Sequence, residues 1–117
     1  MEGKGIRIEG TTMIAENLLQ EAIQRLVTGF HPEKVILFGS QARGTSTDQS
    51  DVDLLVVCEF DGSRRKLMVE MDQVLKGLGF ARDIVVLKPR EFELDRELPG
   101  TVARPAWKEG RVLYERD

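Results

Sequence analysis

The chain has 117 residues, the size of one ordinary domain, with 41% apolar and 32% charged residues. A formal charge of −3 and a pI near 5.3 argue against gripping many nucleic-acid phosphates, which takes a basic face, and no apolar run reaches membrane-span length. One cysteine, Cys58, excludes an internal disulfide and, closing an apolar run, reads as a buried small hydrophobe.

Residues 1–10 are polar and glycine-rich, lack the apolar segment of a secretory signal and are expected to be disordered in a cytoplasmic protein. Ile14, Leu18, Leu19, Ala22, Ile23, Leu26 and Val27 then recur at helical spacing after the cap candidate Thr12, and Gly29 with Pro32 supplies the stop. His31, the one histidine, falls in that stop and takes no catalytic or metal role. Residues 35–38 predict a short buried strand, residues 52–58 a second, and Leu67, Met71, Val74, Leu75 and Leu78 a second helix ended by Gly77 and Gly79.

Residues 83–87, "DIVVL", predict a third strand closed by Pro89. Beyond it, Phe92, Leu94 and Leu98 suggest a short helix, Pro105 opens a turn through Trp107, and residues 112–114 suggest an edge strand. Trp107 and Tyr114 are expected as core anchors with a polar handle. The order predicts a layered α+β domain, a small mixed sheet packed against helices and covered mainly on one face. A single domain of residues 1–117 is expected, with a core over 12–98 and a helix and strand tail over 99–117.

Asp51 and Asp53 interrupt the apolar second strand. Strand alternation puts both on one face, with Val52, Leu54 and Val56 on the other. Two residues of rise separate them by roughly 6.5 Å, a span that can lean together over two divalent ions. Asp83 opens the next strand and joins them if the strand ends align. Three such carboxylates repel unless a cation intervenes, which points to Mg²⁺ or Mn²⁺. A purely structural reading also stands, with Asp51 at a strand entry, Asp53 on a solvated face and Asp83 in a turn. An EF-hand does not fit, because Leu54 and Leu55 occupy positions that need oxygen ligands and turn residues.

Gly39 and Ser40 follow the first strand, where main-chain amides and a hydroxyl can approach phosphate oxygens. A Gly-Ser pair is also ordinary turn punctuation. A P-loop is rejected, since Thr45 stands where that motif needs lysine. Arg43 is the nearest cation for a phosphate. Arg64, Arg65 and Lys66 make a basic cluster at a helix start, read as a solvated face before a phosphate or partner site.

Taken together, "GSQARG", "SDVDLLVV" and the later aspartate opening an apolar strand resemble the minimal nucleotidyltransferases of the DNA polymerase beta-like superfamily. The resemblance is strong over residues 35–87 and extends to the ending "AWKEGRVLYE". It implies a nucleotidyltransferase fold in which Gly39 and Ser40 meet the triphosphate while Asp51, Asp53 and Asp83 hold two Mg²⁺ ions, with Asp83 helping to take the acceptor proton.

Small relatives of this type resemble antitoxin subunits that move AMP from ATP onto a tyrosine of an all-helical HEPN partner. With 34 residues after Asp83, no separate acceptor domain is expected, so the acceptor is placed on another chain. Two other readings stay open: transfer to a small hydroxylated molecule such as an aminoglycoside, with a homo-oligomer building the pocket, and a non-catalytic module that masks a partner.

Overall fold

In the computed structural model, which describes residues 16–39, 42 and 51–117, helix α1 (Glu16–Phe30) buries Leu19, Ala22 and Leu26, one stripe at helical spacing. The onset expected at Thr12 lies outside the described residues. The helix ends on His31, at φ 52°, whose amide donates to the Val27 carbonyl at 3.0 Å. The stop is therefore a left-handed histidine two residues beyond Gly29, a conformation that histidine adopts more readily than bulky residues.

Strands β1 (Lys34–Phe38) and β2 (Val52–Val57) follow. Helix α2 (Arg64–Val74) is capped by Ser63, whose hydroxyl accepts from the Lys66 amide at 3.1 Å, and gives way to left-handed Gly77 and Gly79. Strand β3 (Arg82–Leu87), helices α3 (Pro89–Asp95) and α4 (Ala103–Glu109), and strand β4 (Arg111–Glu115) complete the described elements. The order of helices and strands is the one expected from periodicity, through to the edge strand. The sheet order is β3-β2-β1-β4. Strand β2 runs parallel to β3, as a crossover through α2 requires, and β1 is antiparallel to β2 and β4.

The expected one-sided cover is corrected: helices pack on both faces. On one face Leu19, Leu26, Met71 and Leu75 of the α1–α2 side pack with Val35, Leu37, Val52, Leu54 and Val56. On the other, Phe92, Ala103 and Ala106 of α3 and α4 pack with Ile36, Leu55, Val57 and Leu87. Strand β2 is thus buried on both faces beyond Asp53, which explains its near-continuous apolar run.

Trp107 is not the core anchor expected. It is 40% exposed, with Arg96 stacked 4.3 Å from its ring centre, and buried Phe92 takes the anchoring position, edge-on to the indole at 6.0 Å. Leu94 and Leu98 are exposed as well, so Phe92 alone carries α3 into the core. Tyr114 is half-buried against the first core. No described helix is long and apolar enough to cross a membrane.

Candidate active site

Because β1 runs against β2, the last residue of β1 meets the start of β2, with Phe38 opposite Asp53. Because β2 and β3 run together, their starts coincide, and Asp53 lies directly beside Asp83. Registered neighbours in a sheet point to the same face at a strand spacing of about 4.8 Å. That face is the one whose far end carries Leu55, Val57 and Leu87 under α3 and α4. The acids occupy its near end, where Asp53 is half-buried and Asp51 and Asp83 are exposed. Val52 and Leu54, both buried in the opposite core, fix the strand that carries Asp53.

Gly39 adds the fourth component. Its φ of +77° suits glycine, and its carbonyl accepts from the Ala42 amide at 3.1 Å. A Cβ at Gly39 would collide with Asp53 Oδ2 and stand 3.2 Å from Cγ. The missing side chain therefore lets the turn close directly over that carboxylate. Ser40 and Arg43 lie outside the described residues.

The strands bring Asp53 and Asp83 into register, with Asp51 two residues upstream. Among the described residues, no three acidic, histidine or cysteine side chains stand together as a finished metal cage. The donor set still suits a hard divalent cation: carboxylate oxygens only, at one sheet end, beneath a glycine turn that leaves the Asp53 oxygen uncovered by any side chain of its own.

Arg82 carries no signal in the sequence, yet it fixes the acidic edge. Its guanidinium donates to Asp72 Oδ1 at 2.8 Å and to the Asp72 and Phe80 carbonyls at 2.9 and 3.2 Å, tying the start of β3 to the end of α2. Nothing in an Arg-Asp pair announces this, because the partner is ten residues away on another element. A groove of about 360 Å³ opens beside it, lined by Asp83, Arg82 and α2.

The basic cluster resolves into separate roles. Arg64 donates to both carboxylate oxygens of Glu91 at 3.0 and 2.7 Å and to the Val86 carbonyl at 3.2 Å, and lies over the Phe60 ring. It is a latch between α2 and α3 and not a phosphate ligand. Its hydrogen bonds, with one from the Lys88 amide, hold the Glu91 carboxyl below the usual range. Cys58 is buried, as expected of a small hydrophobe closing an apolar run, and burial pushes its thiol up.

Residues 17–114 match the model of the nucleotidyltransferase domain family. A Methanocaldococcus jannaschii protein named "Putative protein adenylyltransferase" is 30% identical over 105 residues, covering 87% of this chain and all of that one. A second of the same name and organism is 36% identical over 85 residues, covering 67% of this chain and 58% of its own longer length. Among solved structures, one described as a "putative nucleotidyltransferase" from Sulfolobus solfataricus superposes with a TM-score of 0.61 at 25% identity, covering 86% of this chain and 79% of the other.

Proposed function

This chain belongs to the nucleotidyltransferase domain family, and from that premise we propose that it is a metal-dependent enzyme that moves AMP from ATP onto a hydroxyl of another protein. That it is a nucleotidyltransferase acting on a nucleotide substrate follows from the family match and the relatives together. The protein acceptor is supported by the names of the two archaeal relatives. A HEPN-type helical partner, and the pairing of the two as toxin and antitoxin, are supported by the sequence resemblance.

The observation that carries the reading is the register of Asp53 with Asp83 beneath the Gly39 turn. Asp51, Asp53 and Asp83 would hold divalent ions, which neutralise triphosphate charge and acidify an acceptor hydroxyl. Gly39 opens the turn on which the triphosphate would lie, and Ser40 and Arg43, which follow in sequence, would contact it. Asp53, wedged under that turn, sets the distance between phosphate and carboxylates. Asp83, on the outermost strand, faces the incoming acceptor and takes its proton. The acceptor oxygen bonds to the α-phosphorus, the bond from that phosphorus to the oxygen bridging to the β-phosphorus breaks, and pyrophosphate leaves with the electron pair.

The test uses ATP labelled at the α- or γ-phosphate, Mg²⁺ and the product of the neighbouring gene. Label from the α position alone should reach the partner, and Asp53→Ala should abolish it. Absence of label on any protein, or equal labelling by Asp53→Ala, overturns the proposal. Label appearing only on a small hydroxylated compound would shift the acceptor class.

A further inference from the structure

Among the described residues strand β3 is an edge of the sheet, and one half of that edge is capped by a side chain while the other borders a groove. The Val52 and Cys58 amides donate to the Ala81 and Leu87 carbonyls at 2.9 Å each, so the odd-numbered residues of β3 bond inward to β2. Alternation then aims the main-chain groups of Arg82, Ile84 and Val86 outward. The Val86 carbonyl is taken by Arg64, which seals that end. Arg82 and Ile84 flank Asp83 at the other end, and among the described residues no strand pairs with their outward side.

Alongside this open half runs the groove of about 360 Å³, with α2 as its second wall. Two features of that wall indicate its occupant. Val69 is 51% exposed beside Met68, an apolar strip in an otherwise polar helix face. Arg65 lines the groove with no ion pair or hydrogen bond among the described residues, whereas Arg82 on the opposite wall is satisfied by Asp72. The groove therefore offers two outward main-chain positions with no strand partner among the described residues, at half-buried Arg82 and buried Ile84, with a short apolar strip and one cation, Arg65, that makes no ion pair among those residues, and it ends at Asp83.

We propose that this groove docks the acceptor: a short extended segment of the target protein adds to the edge of β3 at Arg82 and Ile84 and lays an acidic residue against Arg65. Its hydroxyl residue is thereby delivered to Asp83. The inference rests on the protein-acceptor reading above and deepens it, since open strand edges bind extended peptides through the main chain while flanking side chains choose the sequence. Sealing by Arg64 limits the pairing to a few residues, so the segment need only be locally extended.

The test is AMP transfer from α-labelled ATP to a library of short synthetic peptides, each with one tyrosine and varied flanking residues, by the full chain and by Arg65→Glu and Val69→Lys. Both substituted side chains are exposed, and the melting temperature checks that the variants fold. The wild type should favour acidic over basic flanks by roughly two- to fivefold, the scale of an exposed ion pair, and Arg65→Glu should reverse that order. Val69→Lys should raise the peptide KM, and N-methylation along the peptide should block transfer at alternating positions.

Labelled peptides with the same flank preference in wild type and Arg65→Glu, or with uniform tolerance of N-methylation, overturn the docking site and leave the transfer reaction standing. Transfer confined to a small hydroxylated molecule or to a second copy of this chain overturns the extended-segment occupant. If no acceptor of any kind is labelled, the reaction itself is refuted and the docking site with it.

Discussion

Two charged clusters of this chain look alike as strings of letters and differ in what they touch. In the basic cluster Arg64 is spent: both oxygens of Glu91, the Val86 carbonyl and the Phe60 ring satisfy it, and it ties α2 to α3 and β3. The acidic edge is the reverse. Asp51 and Asp83 are exposed and make no ion pair among the described residues, although the sheet register brings Asp53 and Asp83 together against their mutual repulsion. A fold that sets like charges side by side at the exposed end of a sheet invites a cation. A charge held as fully as Arg64 leaves nothing over for a ligand.

The strongest way to break this comparison is to remove one acid. Asp53→Asn should lower transfer by roughly 10²–10³-fold, the scale for losing one preorganised group that stabilises developing charge, with the melting temperature little changed. Retained activity would place the chemistry elsewhere. Gly39→Ala should act on both properties. The left-handed φ costs about 1–3 kcal/mol in a non-glycine residue, and the new Cβ displaces the Asp53 carboxylate, so denaturant midpoint and rate should fall together.

The latch should show the opposite profile. Glu91→Gln, at a half-exposed and salt-screened pair, should cost about 0.5–1 kcal/mol of stability and leave transfer per folded molecule unchanged. Its pH dependence follows from the lowered Glu91 pKa. The pair's contribution is complete above the unfolded carboxyl value of about 4.3 and is lost as pH falls from there through the lower folded value. Acid denaturation curves of wild type and Glu91→Gln should therefore converge as the pH drops through that window. The smallest effect concerns Cys58: burial and its raised pKa should make alkylation slow in the native protein and limited by unfolding, as mass spectrometry would show.

Much of the fold was legible because its long elements obey simple periods. The stripe of α1, the apolar β2 and "DIVVL" each carry enough apolar residues for the pattern to outweigh noise. The packing of the last helices as a second layer on the opposite face was not legible. Helices α3 and α4 have seven residues each and bury only Phe92, and Ala103 with Ala106, too few to show a period.

Trp107 misled for a related reason: its size suggested an anchor, but the neighbouring Phe92 fills that position. At the site, residue types were readable and their mutual placement was not. Nothing local in Asp53 or Asp83 states that the parallel register is in phase, and nothing in Gly39 states that its bare Cα faces a carboxylate. Arg64 and Arg65 are adjacent and identical in type, and only the partners on α3 and β3 separate a latch from an unpaired cation.

The most direct test of the acidic edge as a metal and nucleotide site is calorimetric titration of ATP into the wild type and into Asp53→Asn, each with and without Mg²⁺. The account predicts heat of binding for the wild type with Mg²⁺ and none in the other three titrations. Equal ATP uptake without Mg²⁺, or unchanged uptake by Asp53→Asn, would contradict it.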